Sequence, residues 1–456
     1  MKTDNNKKYF GTDGIRGVAN RHPMVPEFAL RLGKAAGAHF RRGKEHPRII
    51  IGKDTRLSGY MIESALMSGI CSMGADVYMV GPLPTPAIAF LTHSMRAEAG
   101  IVISASHNPF TDNGIKFFGT DGRKLPDEVE AILEELLDTP TQEGPTGEAI
   151  GRAYRVEDAE GRYMAFAKST VSHGFRMEGL HVVVDCANGA AYEVAPAILG
   201  ELGARVSAMA CDPDGLNINR GCGSTEPEGV RRSVLESGAD IGLALDGDAD
   251  RAILVDEKGR IVDGDDILFL CAARLKEKGR LVNDTVVGTI MTNVGLESAL
   301  RDMGVNLVRA QVGDRYVLEE MLASGAVLGA EPSGHVIFLE HSPTGDGIVT
   351  ALQVIQVMME MGSSLSELVD GWERYPQVMR NLRILERVPL DGEKWLLDML
   401  DEAREELGRD HILSMRYSGT EPLLRVTVSS RSEETTIRVC ESLCDSLVDR
   451  FGWERE

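Results

Sequence analysis

The sequence predicts an α/β protein of four domains. Three share one mixed or parallel α/β topology, and a smaller α+β domain ends the chain. Three observations predict this. Short buried-strand runs alternate with amphipathic helical stretches, the grammar of βαβ units. That grammar occurs three times, each time followed by a further buried strand that runs into an unusual polar loop. After about Tyr375 the order of elements changes. A chain of 456 residues has room for this plan at roughly 150 residues or fewer per domain.

In the first unit, 48–51 reads as a buried strand ending at Gly52. Residues 55–73 are helix-like, and Gly74-Ala75 leads into a strand at 76–80. A strand at 100–103 follows, then a helix whose apolar face is Val129, Ile132, Leu133, Leu136 and Leu137. Residues 139–151, rich in Pro, Gly and Thr, read as a linker. The second unit has a strand at 182–184, a helix at 193–202 and strands at 205–208 and 241–245. The third has a strand at 285–287, a helix at 295–303 and strands at 306–310 and 326–328. The last domain shows strands at 377–385, 411–416 and 424–429 and helices at 395–407 and 433–451, with an antiparallel sheet expected. The expected divisions are 1–152, 153–258, 259–374 and 375–456. Ligands bind beyond the carboxyl ends of strands in such sheets. Three strand ends bearing different loops therefore predict one composite site where three domains meet.

Composition narrows the function. Apolar residues are 43% and charged residues 26%, which excludes a disordered, collagen-like or disulfide-scaffold chain. A net charge of −21 argues against a nucleic-acid partner, while a local basic cluster still suits a small anionic substrate. The seven cysteines are scattered without Cys-x-x-Cys spacing. Cys440 and Cys444 lie one helical turn apart with no nearby His, so reduced thiols in a cytoplasmic protein are expected. The first ten residues are polar, and no apolar run approaches the roughly 18 residues of a membrane span. No membrane partner is expected.

The most specific loop is Asp246-Gly247-Asp248-Ala249-Asp250-Arg251. Three alternate carboxylates converge on one hard cation if the loop curls, and oxygen-only ligands fit Mg2+. An EF-hand is excluded: Glu257 falls at its twelfth position, but Arg251 stands where the sixth needs glycine, and a strand precedes the loop. The bland alternative is a solvated acidic turn, which is costly after a buried strand unless its charges are paired.

In Ser104-Ala105-Ser106-His107-Asn108-Pro109, Ser106 sits just past a buried strand, where serine serves as a nucleophile or phosphate carrier. Ordinary turn chemistry explains Ser106 and His107 as well. Lys116, between apolar neighbours, is either a general base with a lowered pKa or an edge-strand lysine. Glu331, Ser333 and His335 alternate around glycines; the carboxylate and hydroxyl suit neighbouring sugar hydroxyls, and a Gly-Pro turn is the alternative. Arg416-Tyr417-Ser418-Gly419-Thr420-Glu421-Pro422-Leu423-Leu424-Arg425 offers two hydroxyls, a glycine-centred anion nest and flanking arginines for a phosphate, or else a hairpin turn. No ATP-type P-loop is present. Gly11-Thr12-Asp13-Gly14-Ile15-Arg16-Gly17 is no dinucleotide fingerprint; Arg16 meets an anion there, or the loop is merely solvated.

Taken in order, the Ser-His-Asn-Pro, Asp-Gly-Asp-x-Asp-Arg, Glu-x-Ser-Gly-His and Arg-x-Ser-Gly-Thr-Glu-Pro loops resemble the α-D-phosphohexomutase superfamily over essentially the whole chain. Within it, 9–17, 104–118 and Val312-Gly313-Asp314-Arg315-Tyr316 are most similar to the bacterial phosphoglucosamine mutase branch. The resemblance implies four domains around a central cleft and a possible homodimer. It implies interconversion of glucosamine 6- and 1-phosphates through a hexose 1,6-bisphosphate, feeding UDP-N-acetylglucosamine synthesis. Ser106 would be the phosphoserine. Asp246, Asp248 and Asp250 would hold Mg2+ together with a phosphoryl oxygen of Ser106. Arg16, His107, Lys116 and Arg251 would surround the transferring group, Glu331, Ser333 and His335 would contact the sugar, and Arg416, Ser418, Gly419, Thr420 and Arg425 would hold the distant phosphate.

Two departures stand out. Ala249 replaces a glycine common in relatives; because Ala disfavours positive φ, the loop is expected to bend elsewhere. Pro332 replaces a usual Gln beside the sugar, removing a donor and a side-chain amide. A phosphomannomutase/phosphoglucomutase is the alternative reading within the superfamily. A non-catalytic sugar-phosphate sensor and a Mg2+-dependent phosphatase are alternatives from other classes. Loss of turnover with retained binding in Ser106→Ala excludes the sensor, and isomer formation excludes the phosphatase.

Overall fold

The structure, a computed structural model, describes residues 7–139, 143–384, 387–388, 393–417 and 422–455. One compact unit comprises Met1–Ile290 and Val308–Val369. It contains two sheets and most of a third. The first runs Ile15–Val18, Asp112–Phe118, Ala99–Ile103, Arg48–Lys53, Asp76–Pro82, Ala153–Arg155. The second runs Ile261–Val262, Ala252–Asp256, Ile241–Leu245, His181–Asp185, Arg205–Met209. The third runs Asn306–Ala310, Thr285–Thr289, Leu328–Ala330, Val336–Phe338.

A common core repeats in all three. Four successive strands lie in the order fourth, third, first, second. The third strand is parallel to the first, and the fourth folds back antiparallel on the third. The threefold repeat read in the sequence is therefore real, and each chemistry-bearing loop occupies the same connection, between the third and fourth strands. Every residue of Ala99–Ile103, His181–Asp185 and Ile241–Leu245 is buried, as expected where helices cover both sheet faces. That burial explains their unbroken apolar runs.

Three local expectations shift. The helix expected from Thr55 begins at Ser58, because Asp54 and Arg56 are drawn into loop contacts instead. The strand expected at 326–328 lies at Leu328–Ala330. The stretch read as a linker is partly pinned: Gly151 N donates to Cys71 O at 2.9 Å, and Ala153–Arg155 pairs with the strand Asp76–Pro82, extending the first sheet past residue 152.

The second unit comprises Met291–Leu307 and Asp370–Glu456. Its sheet, in the order His411–Tyr417, Leu423–Ser430, Gln377–Arg383, Glu454–Arg455, is wholly antiparallel, as expected. The helices Lys394–Leu407 and Glu433–Phe451 contribute to one core with its strands, around Leu382, Leu424, Val426, Leu443 and Leu447. Ser432 caps the last helix by accepting from Thr435 N, and Gly452 in the left-handed region ends it. All seven cysteines are free, with Cys440 and Cys444 buried in this core.

Candidate active site

Ser106 stands in the connection between Ala99–Ile103 and Asp112–Phe118 with φ +52°. A non-glycine residue in the left-handed region costs about 1–2 kcal/mol, so its surroundings must hold it there. They do so from three sides. Its N–H donates to Ser104 Oγ at 2.9 Å. Its carbonyl accepts from Arg56 Nη2 and from Asn219 Nδ2, each at 2.8 Å. Its Oγ donates to Asp246 Oδ2 at 2.6 Å and lies 3.4 Å from His107 Nδ1.

Arg56 is the hub of this loop, and the motif reading passed over it. It is fully buried, and all five guanidinium donors are engaged. Nε meets Asp54 Oδ2 at 2.8 Å. The others reach the carbonyls of Ser106 and Asn108 (2.8 Å each), Asp112 (3.1 Å) and Pro109. Asp54 also accepts from Ser104 Oγ at 2.6 Å. A usable signal existed: Asp54 and Arg56 follow the end of a buried strand, the rule that located the other loops.

The structure brings Asp246, Asp248 and Asp250 together as read from the sequence. Their ligand oxygens all lie within 4.8 Å of one another. Asp248 Oδ1 and Asp250 Oδ1 are buried without a hydrogen-bond partner, which is costly unless a cation fills the site. Burial and the charges of Asp250 and Asp248 push Asp246 well above the usual carboxylate range. The donor set thus fits a hard divalent metal. The expectation that this loop bends away from Ala249 is wrong. Ala249 itself takes φ +56°, fully buried, because its N–H donates to Asp246 O and its carbonyl accepts from Gly347 N, each at 3.0 Å. Gly247 is required where it is, since a Cβ there would lie 2.6 Å from Ser106 O.

Lys116 is neither an edge-strand lysine nor a base of lowered pKa. Its strand is flanked on both sides, and its Nζ lies 2.9 Å from Asp248 Oδ2, 3.2 Å from Asp13 and 3.6 Å from Asp250. Burial disfavours the ammonium, but Asp13, Asp248 and Asp250 outweigh it and raise Lys116 well above its ordinary value. It is a held cation. Asp13 also pairs with Lys124 and Arg16, so the N-terminal glycine-rich loop is tied down rather than merely solvated. Burial opposes ionisation of Asp13, and Lys116, Lys124 and Arg16 override it. Burial and the positive charges of Arg251 and Arg16 hold His107 below the usual histidine range.

A cavity of about 570 Å³ opens beside these groups. Arg16, His107, Asp250, Arg251, Glu331, Ser333 and His335 line it, so three separate loops and the N-terminal loop converge on one space. The loop at 331–335 is joined to the strand Ala252–Asp256: Gly334 O accepts from Ala252 N at 3.0 Å. Glu331 is buried and accepts from Gly313 N at 3.0 Å, while Ser333 is exposed to the cavity. Gly345 N points at His335 Nε2 at 3.1 Å, and His335 Nδ1 stands 3.8 Å from Asp250 Oδ1.

In the second unit, Arg416 and Arg425 are directly opposite across the antiparallel pair. Ser418, Gly419 and Thr420 lie outside the described residues. Among the described residues, no helix is long and apolar enough to cross a membrane.

Comparison with known proteins agrees with this geometry. Family models described as phosphoglucomutase/phosphomannomutase match the chain almost end to end: alpha/beta/alpha domain I at 7–144, domain II at 162–259, domain III at 263–375 and the C-terminal domain at 373–446. The chain is 52% identical over 446 residues to a phosphoglucosamine mutase of Geobacter sp., covering 97% of this chain and 98% of that protein. A phosphoglucomutase/phosphomannomutase family protein from Burkholderia thailandensis superposes with a TM-score of 0.77 at 22% identity, covering 96% of this chain and 97% of that one. The N-acetylphosphoglucosamine mutase of Aspergillus fumigatus, solved with GlcNAc-6P and magnesium, superposes with a TM-score of 0.66 at 18% identity, covering 99% and 97%.

Proposed function

The chain belongs to the phosphoglucomutase/phosphomannomutase family, and from that premise we propose that it interconverts glucosamine 6-phosphate and glucosamine 1-phosphate. The observation that carries the reaction type is Ser106 Oγ at 2.6 Å from Asp246, within the acidic triad and beside a polar cavity. The full-length identity to a phosphoglucosamine mutase supports the sugar.

Phosphorylated Ser106 gives its phosphoryl group to the free hydroxyl of the sugar monophosphate, forming a hexose 1,6-bisphosphate. The sugar turns round, and Ser106 Oγ takes back the other phosphoryl group. Such transfer needs positioning and charge neutralisation more than covalent assistance. Arg16, Arg251 and the held ammonium of Lys116 surround the group in flight. His107, 3.4 Å from Ser106 Oγ and lowered in basicity by its surroundings, is the proton acceptor for the attacking hydroxyl. Asp246, Asp248 and Asp250 would hold Mg2+, with an oxygen of phosphorylated Ser106, and the bound ion would supply further neutralisation of phosphoryl charge.

Glu331, Ser333 and His335 contact the sugar. Arg416, Ser418, Gly419, Thr420 and Arg425 hold the non-reacting phosphate, and Arg416 and Arg425 stand directly opposite on neighbouring strands. The domain divisions 1–152, 153–258, 259–374 and 375–456, a cytoplasmic location and a homodimer complete the reading. The test is turnover with Mg2+ and a hexose 1,6-bisphosphate primer, comparing glucosamine, glucose and mannose 6-phosphates. A preference for the amino sugar of about tenfold or more, roughly 1.4 kcal/mol in the transition state, is expected. A preference for glucose or mannose phosphate overturns the substrate assignment and leaves the reaction type standing.

A further inference from the structure

We propose that Asp314 sets the preference for an amino sugar by presenting its carboxylate to the ammonium group of glucosamine 6-phosphate, an inference that rests on the substrate reading above. Asp314 belongs to the Val312-Gly313-Asp314-Arg315-Tyr316 segment, which the reaction itself leaves without a task. It opens the helix Asp314–Ser324 and lines the cavity beside Glu331 and Ser333. The hydrogen bond from Gly313 N to Glu331 Oε1, at 3.0 Å, fixes that helix start against the sugar loop. Asp314 Oδ2 lies 3.9 Å from His335 Nε2, at the edge of the same loop.

Two carboxylates on this wall, Asp13 and Asp314, share one ammonium, that of Lys124. Asp13 is surrounded by Lys116, Lys124 and Arg16. Asp314 pairs with Lys124 at 2.5 Å, an ammonium it shares with Asp13. Among the described residues, its other oxygen accepts only from Arg315 N, at 2.8 Å, so a substrate ammonium would add a charged partner on the cavity side. The sugar loop supplies no competing group for the amine. Pro332 has no polar side chain, and its carbonyl accepts from Gly264 N at 3.3 Å. Glu331 and Ser333 are occupied with hydroxyls in the reading above. A carboxylate-to-ammonium contact is a charge-assisted hydrogen bond, stronger than the contact a neutral hydroxyl makes. Glucose 6-phosphate, with a hydroxyl in place of the ammonium, gains little from Asp314.

The test uses the full-length enzyme and measures kcat/KM for glucosamine 6-phosphate and glucose 6-phosphate in wild type, Asp314→Asn and Asp314→Glu. Asp314→Asn keeps shape and removes charge. Its amino-to-glucose ratio of kcat/KM is expected to fall about tenfold or more, equivalent to roughly 1.4 kcal/mol. Asp314→Glu, which restores the charge, is expected to recover part of the ratio. An equal fall on both substrates, or an unchanged ratio, in a wild-type background that does prefer the amino sugar overturns the role of Asp314 and leaves the substrate reading intact. A wild-type ratio near one overturns the substrate reading, and this proposal with it.

Discussion

Replacing Arg56 by Met removes the hub beneath Ser106, and the structure allows the cost to be worked out. The largest component is Asp54. It is as buried as Arg56 and loses its ion-pair partner, which costs about 3–5 kcal/mol when a buried pair is broken from one side. The carbonyls suffer less. Ser106 O and Asn108 O keep Asn219 Nδ2 at 2.8 and 3.0 Å, and Pro109 O keeps Asp112 N at 3.0 Å. Together they add on the order of 1 kcal/mol. A loss of about 4–6 kcal/mol is a large share of the 5–15 kcal/mol that typically holds a domain folded. Urea unfolding followed by far-UV circular dichroism reads the loss. In the double variant Asp54→Asn/Arg56→Met, where no buried charge is orphaned, about half should return. At temperatures where the single variant is folded, kcat should still fall about tenfold or more, because the left-handed backbone of Ser106 has lost a clamp. An Arg56→Met enzyme within about 1 kcal/mol of wild type, or a double variant no more stable than the single, would refute this account.

Three further outcomes are expected. Ser106→Ala should abolish isomer formation while calorimetry still detects sugar-phosphate binding; residual mutase turnover counts against Ser106 as the carrier. Ala249→Gly should change stability by less than about 1 kcal/mol and keep the Mg2+ response, whereas Ala249→Val, β-branched at φ +56° and fully buried, should cost about 2 kcal/mol or more and blunt that response in a Mg2+ titration of activity. Asp346 carries the pH prediction. Burial raises its carboxyl to about 6, despite hydrogen bonds from Tyr163, Ile348 and Val349. The folded state therefore holds this proton more tightly than the unfolded chain, where Asp titrates near 3.9. Its stabilising contribution is complete below about pH 4 and is lost as pH rises through about 6, a change of roughly 3 kcal/mol. The stability difference between wild type and Asp346→Asn, measured from pH 4 to pH 7, should fall by that amount; a flat difference contradicts the raised carboxyl.

The strand-end loops were legible because each is local. A buried apolar run fixes where a strand ends, and the residues after it emerge at the edge where ligands bind. That placed Ser106, the three aspartates and Glu331 in one shared position of a threefold repeat, as the sheets bear out. The cluster of oxygen donors was legible too, because alternation and the lack of His or Cys are properties of six consecutive residues.

What the sequence alone determined was the repeated βαβ plan, the antiparallel sheet of the last unit and the identity of the polar loops, all properties of neighbouring residues and their periodicity. Only the tertiary structure decided the charge of Lys116, which depends on Asp13 and on Asp248 and Asp250, more than a hundred positions away on either side. It alone decided that Ala249 takes positive φ, because the bond that holds it there comes from Gly347. It alone showed Arg56 giving four of its five donors to the serine loop and Gly313 donating to Glu331. A side chain's protonation, strain and partners follow from the field and packing of whatever the fold brings beside it, and that neighbourhood is not written in the residues on either side.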